Sequence, residues 1–241
     1  MSTAVPDSPL EKRETLGDDI AGMGCFFVDP RGAAQRAFNK WFWVVPLIAV
    51  SIIAVVAGII RLPIAQHAME TMPLPPNANP EQFQRGMEIG MKIQNIAIWC
   101  TPVIIVIFYL IYAVILFGMA SILGVTAKFR WLLNVVAGCS LIQALASIAS
   151  TLILKAKGEV STMAELQPPL GLDIFLPEGT NKFLLALAGY FSIFEIWWLI
   201  MIVLVMSHAF RIGKGKAFGM VLPLVLLNIV FRLVGAIFTR T

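Results

Sequence analysis

Apolar residues run along this chain in long unbroken blocks, not in the alternating or three-to-four-residue patterns of strands and helices that have one face in water. A hydrocarbon core of ~30 Å needs ~20 apolar residues at a rise of ~1.5 Å each. Five blocks meet that length, at about 41–62 (WFWVVPLIAVSIIAVVAGIIRL), 96–123, 132–154, 183–206 and 218–238. Lipid offers the backbone no hydrogen-bond partner, so each block is expected as a helix. Charges or interface-seeking aromatics such as Trp41, Trp43 and Trp131 bound them. The pattern predicts an all-α polytopic membrane protein: a five-helix transmembrane bundle over residues 26–241, preceded by a short, flexible, polar N-terminal tail over 1–25.

The connections differ in character. The first and third are long and polar: PIAQHAMETMPLPPNANPEQFQRG carries a Pro-rich turn and then a short helix entering the second block, and KGEVSTMAELQPPLGLDIFLPEGTNK carries a second Pro pair. The second and fourth, GVTAKFR and HAFRIGKGK, are short and basic and contain no acid. Arg31, Arg36, Lys40, Lys128, Arg130, Arg211, Lys214 and Lys216 fall on one side of the predicted bundle. Arg61, Arg85, Lys92, Lys155, Lys157, Lys182 and Arg240 fall on the other, in longer loops that also hold acids. Basic density in the short loops orients the chain with its N-terminus in the cytoplasm and its C-terminus outside. The expected location is an integral, multi-pass one, in the cytoplasmic membrane if the source is prokaryotic. The first residues, MSTAVPDSPLEKRETLGDD, lack the parts of a cleaved signal, so the first span is expected to remain as an anchor.

Composition sharpens this picture. The chain is 59% hydrophobic and 13% charged, against about 25% charged in a soluble domain, and its mean hydropathy is +0.84. The formal charge of +4 is spread beside apolar spans, which fits membrane orientation and not nucleic-acid binding. Cys25, Cys100 and Cys139 form no CxxC pair, so no disulfide framework or zinc site is expected.

Catalytic chemistry lacks its parts. His67 and His208 fall on opposite sides of the predicted membrane, Ser207 has no carboxylate near in sequence to orient a neighbouring imidazole, and HExxH and GxSxG are absent. No catalytic, cofactor-binding or metal-binding residue is expected, and no cofactor is implied. GKGKAFG misses the spacing of a phosphate loop and reads as a helix–helix turn. Lys128, Arg130, Arg211, Lys214 and Lys216 are therefore candidate contacts for anionic headgroups. On the third block Ser140, Ala144, Ser147 and Thr151 recur at helical spacing, a small-residue face suited to close packing. Gln143, Glu195, Asn228 and Arg232 fall at membrane depth, where a charge is costly, and form a candidate intramembrane polar cluster. Asn228 and Arg232 are four apart on one helix face, so Glu195 is expected to pair with them across neighbouring antiparallel helices, or with Asn228 alone where Arg232 snorkels toward the outer interface. Structural pairing and a proton or substrate role both stay open.

Two stretches carry a resemblance. FFVDPRGAAQRAFNKWFWVVPLIAV leads from a proline-containing amphipathic segment through aromatics to a proline inside the first span, and FSIFEIWWLIMIVLVMSHAFRIGKGKAFG joins an acid/aromatic/Trp span to a basic turn and a Lys-Ala helix start. Over about residues 26–238 the chain resembles the Yip family, the Ypt/Rab-interacting membrane proteins, most closely its prokaryotic-type members. The resemblance implies five spans with a cytoplasmic tail and transfers no catalytic residue. Eukaryotic relatives are implicated in vesicle traffic through small GTPases. The expected function is a non-enzymatic membrane scaffold or adaptor for partner proteins or lipids, linked to membrane organisation or trafficking. The alternative is a small-solute or proton-coupled transporter using Gln143, Glu195 and Asn228. The expected partners are membrane lipids and an unidentified protein, not nucleic acid; oligomerisation is left open.

Overall fold

The computed structural model describes residues 16–70, 79–158, 160, 166, 168, 170–177 and 179–238. The Pro-rich turn expected near residue 75 lies outside them. In chain order the helices are α1 (Leu16–Met23), α2 (Cys25–Val28), α3 (Pro30–Arg36), α4 (Val44–Glu70), α5 (Pro80–Ile122), α6 (Phe129–Lys157), α7 (Lys182–Tyr190), α8 (Ile193–Ala209) and α9 (Lys214–Phe238), with a 3-10 turn at Leu172–Phe175 before α7. No strand occurs among the described residues. The α4, α5, α6 and α9 helices are each long and apolar enough to cross a bilayer, and α7 and α8, bent by 48° at their break, reach that length and apolarity together. The chain is thus an all-α polytopic bundle.

The helices begin where short polar side chains can bond the backbone N–H groups that a first turn leaves unpaired. Asp29 precedes Pro30 and accepts from the Arg31 N–H; Asn79 precedes Pro80 and accepts from Glu81; Asn181 accepts from Phe183; Ser192 accepts from Glu195. Three boundaries differ from the sequence expectation. The first span starts at Val44, because Trp41–Trp43 lie in the turn that precedes it. The short helix expected before the second span is continuous with it, giving one helix of 43 residues. The fourth span, expected as one helix over 183–206, is interrupted at Phe191 and Ser192.

The hub is α6. Of its most apolar stretch 61% is buried, against 17–28% in α4, α5 and α9, and α4, α5 and α8 all pack on it. Its Leu132, Val135, Ala137, Cys139 and Ile142 are fully or almost fully enclosed. A smaller core of Ala68, Leu154 and Val160 closes the opposite end of α4 and α6.

Of the tail expected over residues 1–25, residues 1–15 lie outside the described residues and Leu16–Met23 is helical. Helix starts at Leu16, and α2 and α3 wedge against α6 and α8. Phe26 is fully buried and stacks on Phe42 with ring centroids 5.3 Å apart. It lies against Gly138, about nine residues and ~14 Å into α6 at helical rise. A Cβ at Gly138 would fall 2.2 Å from the Phe26 ring, so only glycine admits the ring at this depth. The Trp197 indole N–H donates to the Phe27 carbonyl at 3.0 Å. Buried Asn134 holds the way out: its amide donates to the carbonyls of Ala37 (2.9 Å) and Asn39 (2.6 Å), and its oxygen accepts from the Trp43 N–H (3.0 Å).

The two short basic turns share this end with the wedge. Trp131 meets Phe38 edge-on at 4.9 Å and Phe210 at 6.4 Å, joining the turn before α4, the α5–α6 turn and the α8–α9 turn. Gly124 (φ 63°) and Arg211 (φ 51°) take left-handed conformations where the chain reverses.

Candidate functional site

The polar cluster is built by the interruption of the fourth span. The Ser192 N–H turns back to the Tyr190 carbonyl at 2.8 Å, and Ser192 Oγ accepts from the Glu195 N–H at 3.1 Å. Ser192-Ile193-Phe194-Glu195 has the Ser-x-x-Glu spacing of a capping box. Because the Ser192 N–H is already committed, the Glu195 carboxylate does not complete the box and points into the bundle instead. Its Oε2 accepts from the Gln143 amide of α6 at 2.9 Å. Its Oε1 stands 3.5 Å from Arg232 Nη2 of α9. One acid at the start of a half-helix therefore ties together α6, α8 and α9.

Arg232 has further neighbours. Its guanidinium lies over the Tyr190 ring, 5.6 Å from the centroid. Gly189 leaves the space in which the Arg232 guanidinium and the Asp173 carboxylate both approach, 3.6 Å and 3.2 Å from where a Cβ would stand. Asp173 belongs to the 3-10 turn, which docks on α7 because Gly171 rests against the Ala188 and Gly189 carbonyls and its N–H bonds Asp173 Oδ1 at 3.0 Å. The third connection, expected only as a polar loop, thus supplies a second carboxylate beside the cluster.

Of the residues expected at membrane depth, the structure unites Gln143, Glu195 and Arg232. Asn228 does not join them. Its side-chain oxygen accepts from the Tyr112 hydroxyl of α5, so the expected Glu195–Asn228 contact is replaced by a separate α5–α9 link. The four-residue spacing that places Asn228 and Arg232 on one face of α9 cannot specify which neighbour each meets.

The small-residue face of α6 holds two more polar links. Ser140 is hydrogen-bonded to Tyr109, while Arg61 donates to Thr151 Oγ1 and to the Ser147 carbonyl, both at 2.8 Å. Arg61, Tyr109, Tyr112, Asp173 and Tyr190 are absent from the sequence-based cluster. Arg61 was legible only as a charge ending an apolar block, and the tyrosines carry no spacing that singles them out. The Ser-x-x-Glu capping signal, by contrast, stood in the sequence and marks the interruption.

The five candidate headgroup contacts lie at the other level of the bundle. Lys128, Arg130, Arg211, Lys214 and Lys216 are all exposed on the two short turns. The Lys128 ammonium sits 5.1 Å above the Trp131 ring. Glu195 is about fourteen residues from the Ala209 end of α8, ~21 Å at helical rise, so the basic surface and the polar cluster are separate sites.

The family model for the Yip1 domain matches residues 24–235, and the chain belongs to that family. The match takes in α2 and α3, so the wedge is part of the domain. No curated protein and no solved structure matches the chain.

Proposed function

We propose that this Yip1-domain protein is a non-enzymatic membrane scaffold or adaptor, with its N-terminal segment and its two basic turns at the cytoplasmic surface, where it gathers anionic lipids and a protein partner. The carrying observation is that five exposed basic side chains lie at the two short turns, which Trp131 joins to Phe38 of the segment leaving the wedge. Positive-inside bias supports the sidedness. At membrane depth, Glu195, Gln143 and Arg232 are engaged with one another, which suits an interior devoted to holding helices together.

A basic residue beside an anionic surface contributes ~1 kcal/mol, about a fivefold change in retention. Native mass spectrometry of the detergent-extracted protein with added phosphatidylglycerol is expected to show lower lipid retention for the triple variant Arg211→Gln, Lys214→Gln, Lys216→Gln, with zwitterionic lipid unaffected. Equal retention by variant and parent refutes headgroup capture by these turns.

A second reading, proton- or solute-coupled transport, is favoured by one observation: an acid stands beside the break of a bent helix pair, and transporters build their binding sites at broken spans. Flux in reconstituted vesicles that Glu195→Gln abolishes without loss of fold selects this reading. No flux from the parent protein retires it.

A further inference from the structure

We infer that α5 docks on α5 of a second copy of this chain, forming a two-fold dimer whose axis lies along the membrane normal. At 43 residues α5 is ~64 Å long, about twice the ~30 Å hydrocarbon core. Its polar residues Lys92, Gln94 and Asn95 mark where the helix leaves the apolar stretch, so the portion from Pro80 to about Asn95 projects into water.

That projecting portion has two apolar faces. Met87 and Met91, with Ile98 beyond them, turn inward; Ile98 packs on Gly58 of α4. Ile89, Ile93 and Ile96 turn outward and are 57%, 60% and 63% exposed. Gly86 precedes them on the same line with open space where a Cβ would stand. The line continues into the membrane at Cys100 and Val103, both exposed. The steps from Gly86 to Val103 alternate three and four residues, the 3.5-residue repeat of a seam between two supercoiled helices.

Lipid covers such a line only inside the hydrocarbon. One occupant that covers it on both sides of the boundary must be a helix that crosses the membrane and projects equally far beyond it. In a second copy inserted in the same orientation, α5 has that length, register and direction, and the pairing is self-complementary. Charge permits it. In parallel pairing the flanking residues Arg85 and Lys92 face Gly90 and Ala97 of the second copy, so no like charges meet, while Glu81, Arg85, Glu88 and Lys92 alternate in sign at three- and four-residue spacing along their own helix.

Cys100 lies on the seam and reports on it directly. The full chain in phosphatidylcholine/phosphatidylglycerol vesicles, treated with copper phenanthroline, is expected to yield a covalent dimer that Cys100→Ser removes. In that background Ile93→Cys is expected to restore the product and Glu88→Cys, off the seam, to leave it absent. Single-molecule photobleaching is expected to show mostly two-step traces for the parent chain. The double variant Ile89→Glu, Ile93→Glu alters only water-exposed positions and is expected to lower that fraction at least tenfold with unchanged far-UV circular dichroism. One-step traces for the parent, equal cross-linking at Glu88→Cys and Ile93→Cys, or a dimer fraction untouched by the double variant overturns the inference.

Discussion

Asn134 and Glu195 are both polar groups that α6 and α8 carry into an apolar bundle, yet they are treated in opposite ways. Asn134 is fully buried, neutral, and bonded at 2.6–3.0 Å to three backbone groups of the segment entering α4. Its partners are parts of the fold itself and cannot leave without unfolding it. Glu195 is charged when ionised and meets two side chains, one of them at 3.5 Å, longer than the ~2.7–2.9 Å of a tight charge-assisted bond. The side chain of its cationic partner is 43% exposed, while its own is 13% exposed. A rotamer change of half-exposed Arg232 separates this pair toward solvent, whereas one of Asn134 strands three backbone groups inside the bundle. The contrast separates a polar group that fixes the chain path from one that couples three helices adjustably.

The strongest way to break the contrast is at the clamp. Asn134→Ala strands one backbone N–H and withdraws a donor from two carbonyls, with an unsatisfied buried group costing ~1–3 kcal/mol, so a loss of about 3 kcal/mol or more is expected in denaturant unfolding in micelles. A loss below that of Glu195→Gln would reverse the ranking. Gly138→Ala attacks the same region through packing. Its new methyl collides with the buried Phe26 ring, and an overpacking cost of ~2 kcal/mol is expected. Tryptophan emission should report displacement of the wedge through Trp197; unchanged emission and stability together would contradict the glycine requirement.

The cluster is tested by coupling. A double-mutant cycle of Glu195→Gln and Arg232→Gln is expected to give ~1 kcal/mol, between the ~0.6 average and ~1.7 maximum of interhelical polar pairs in membranes. Additive losses would show that the two charges do not sense each other. The smallest effect is expected from Tyr112→Phe, which removes the donor to Asn228 and should cost ~0.6 kcal/mol. Its coupling to Glu195→Gln should be smaller than that of the Glu195–Arg232 pair, since Asn228 and Glu195 have separate hydrogen-bond partners; equal or stronger coupling would merge the two links into one network.

The sequence by itself determined the class of the fold. Apolar blocks of bilayer length leave the backbone no solvent partner and force helices. Short basic turns determined that their flanking spans are neighbours, and four-residue spacing determined that Asn228 and Arg232 share a face. Tertiary structure decided the rest. It broke the fourth span, because the Ser192 cap outweighs uniform apolarity that reads as one helix. It gave Asn228 to Tyr112 and Arg232 to Glu195, because partner choice depends on the rotation and depth of α5 against α9. It also docked the segment before the first span as a wedge, because Phe26 gains a buried site only where Gly138 of a helix more than a hundred residues away leaves room for its ring. Local pattern sets which solvent each segment requires, while partners distant in sequence are set by packing that no local pattern encodes.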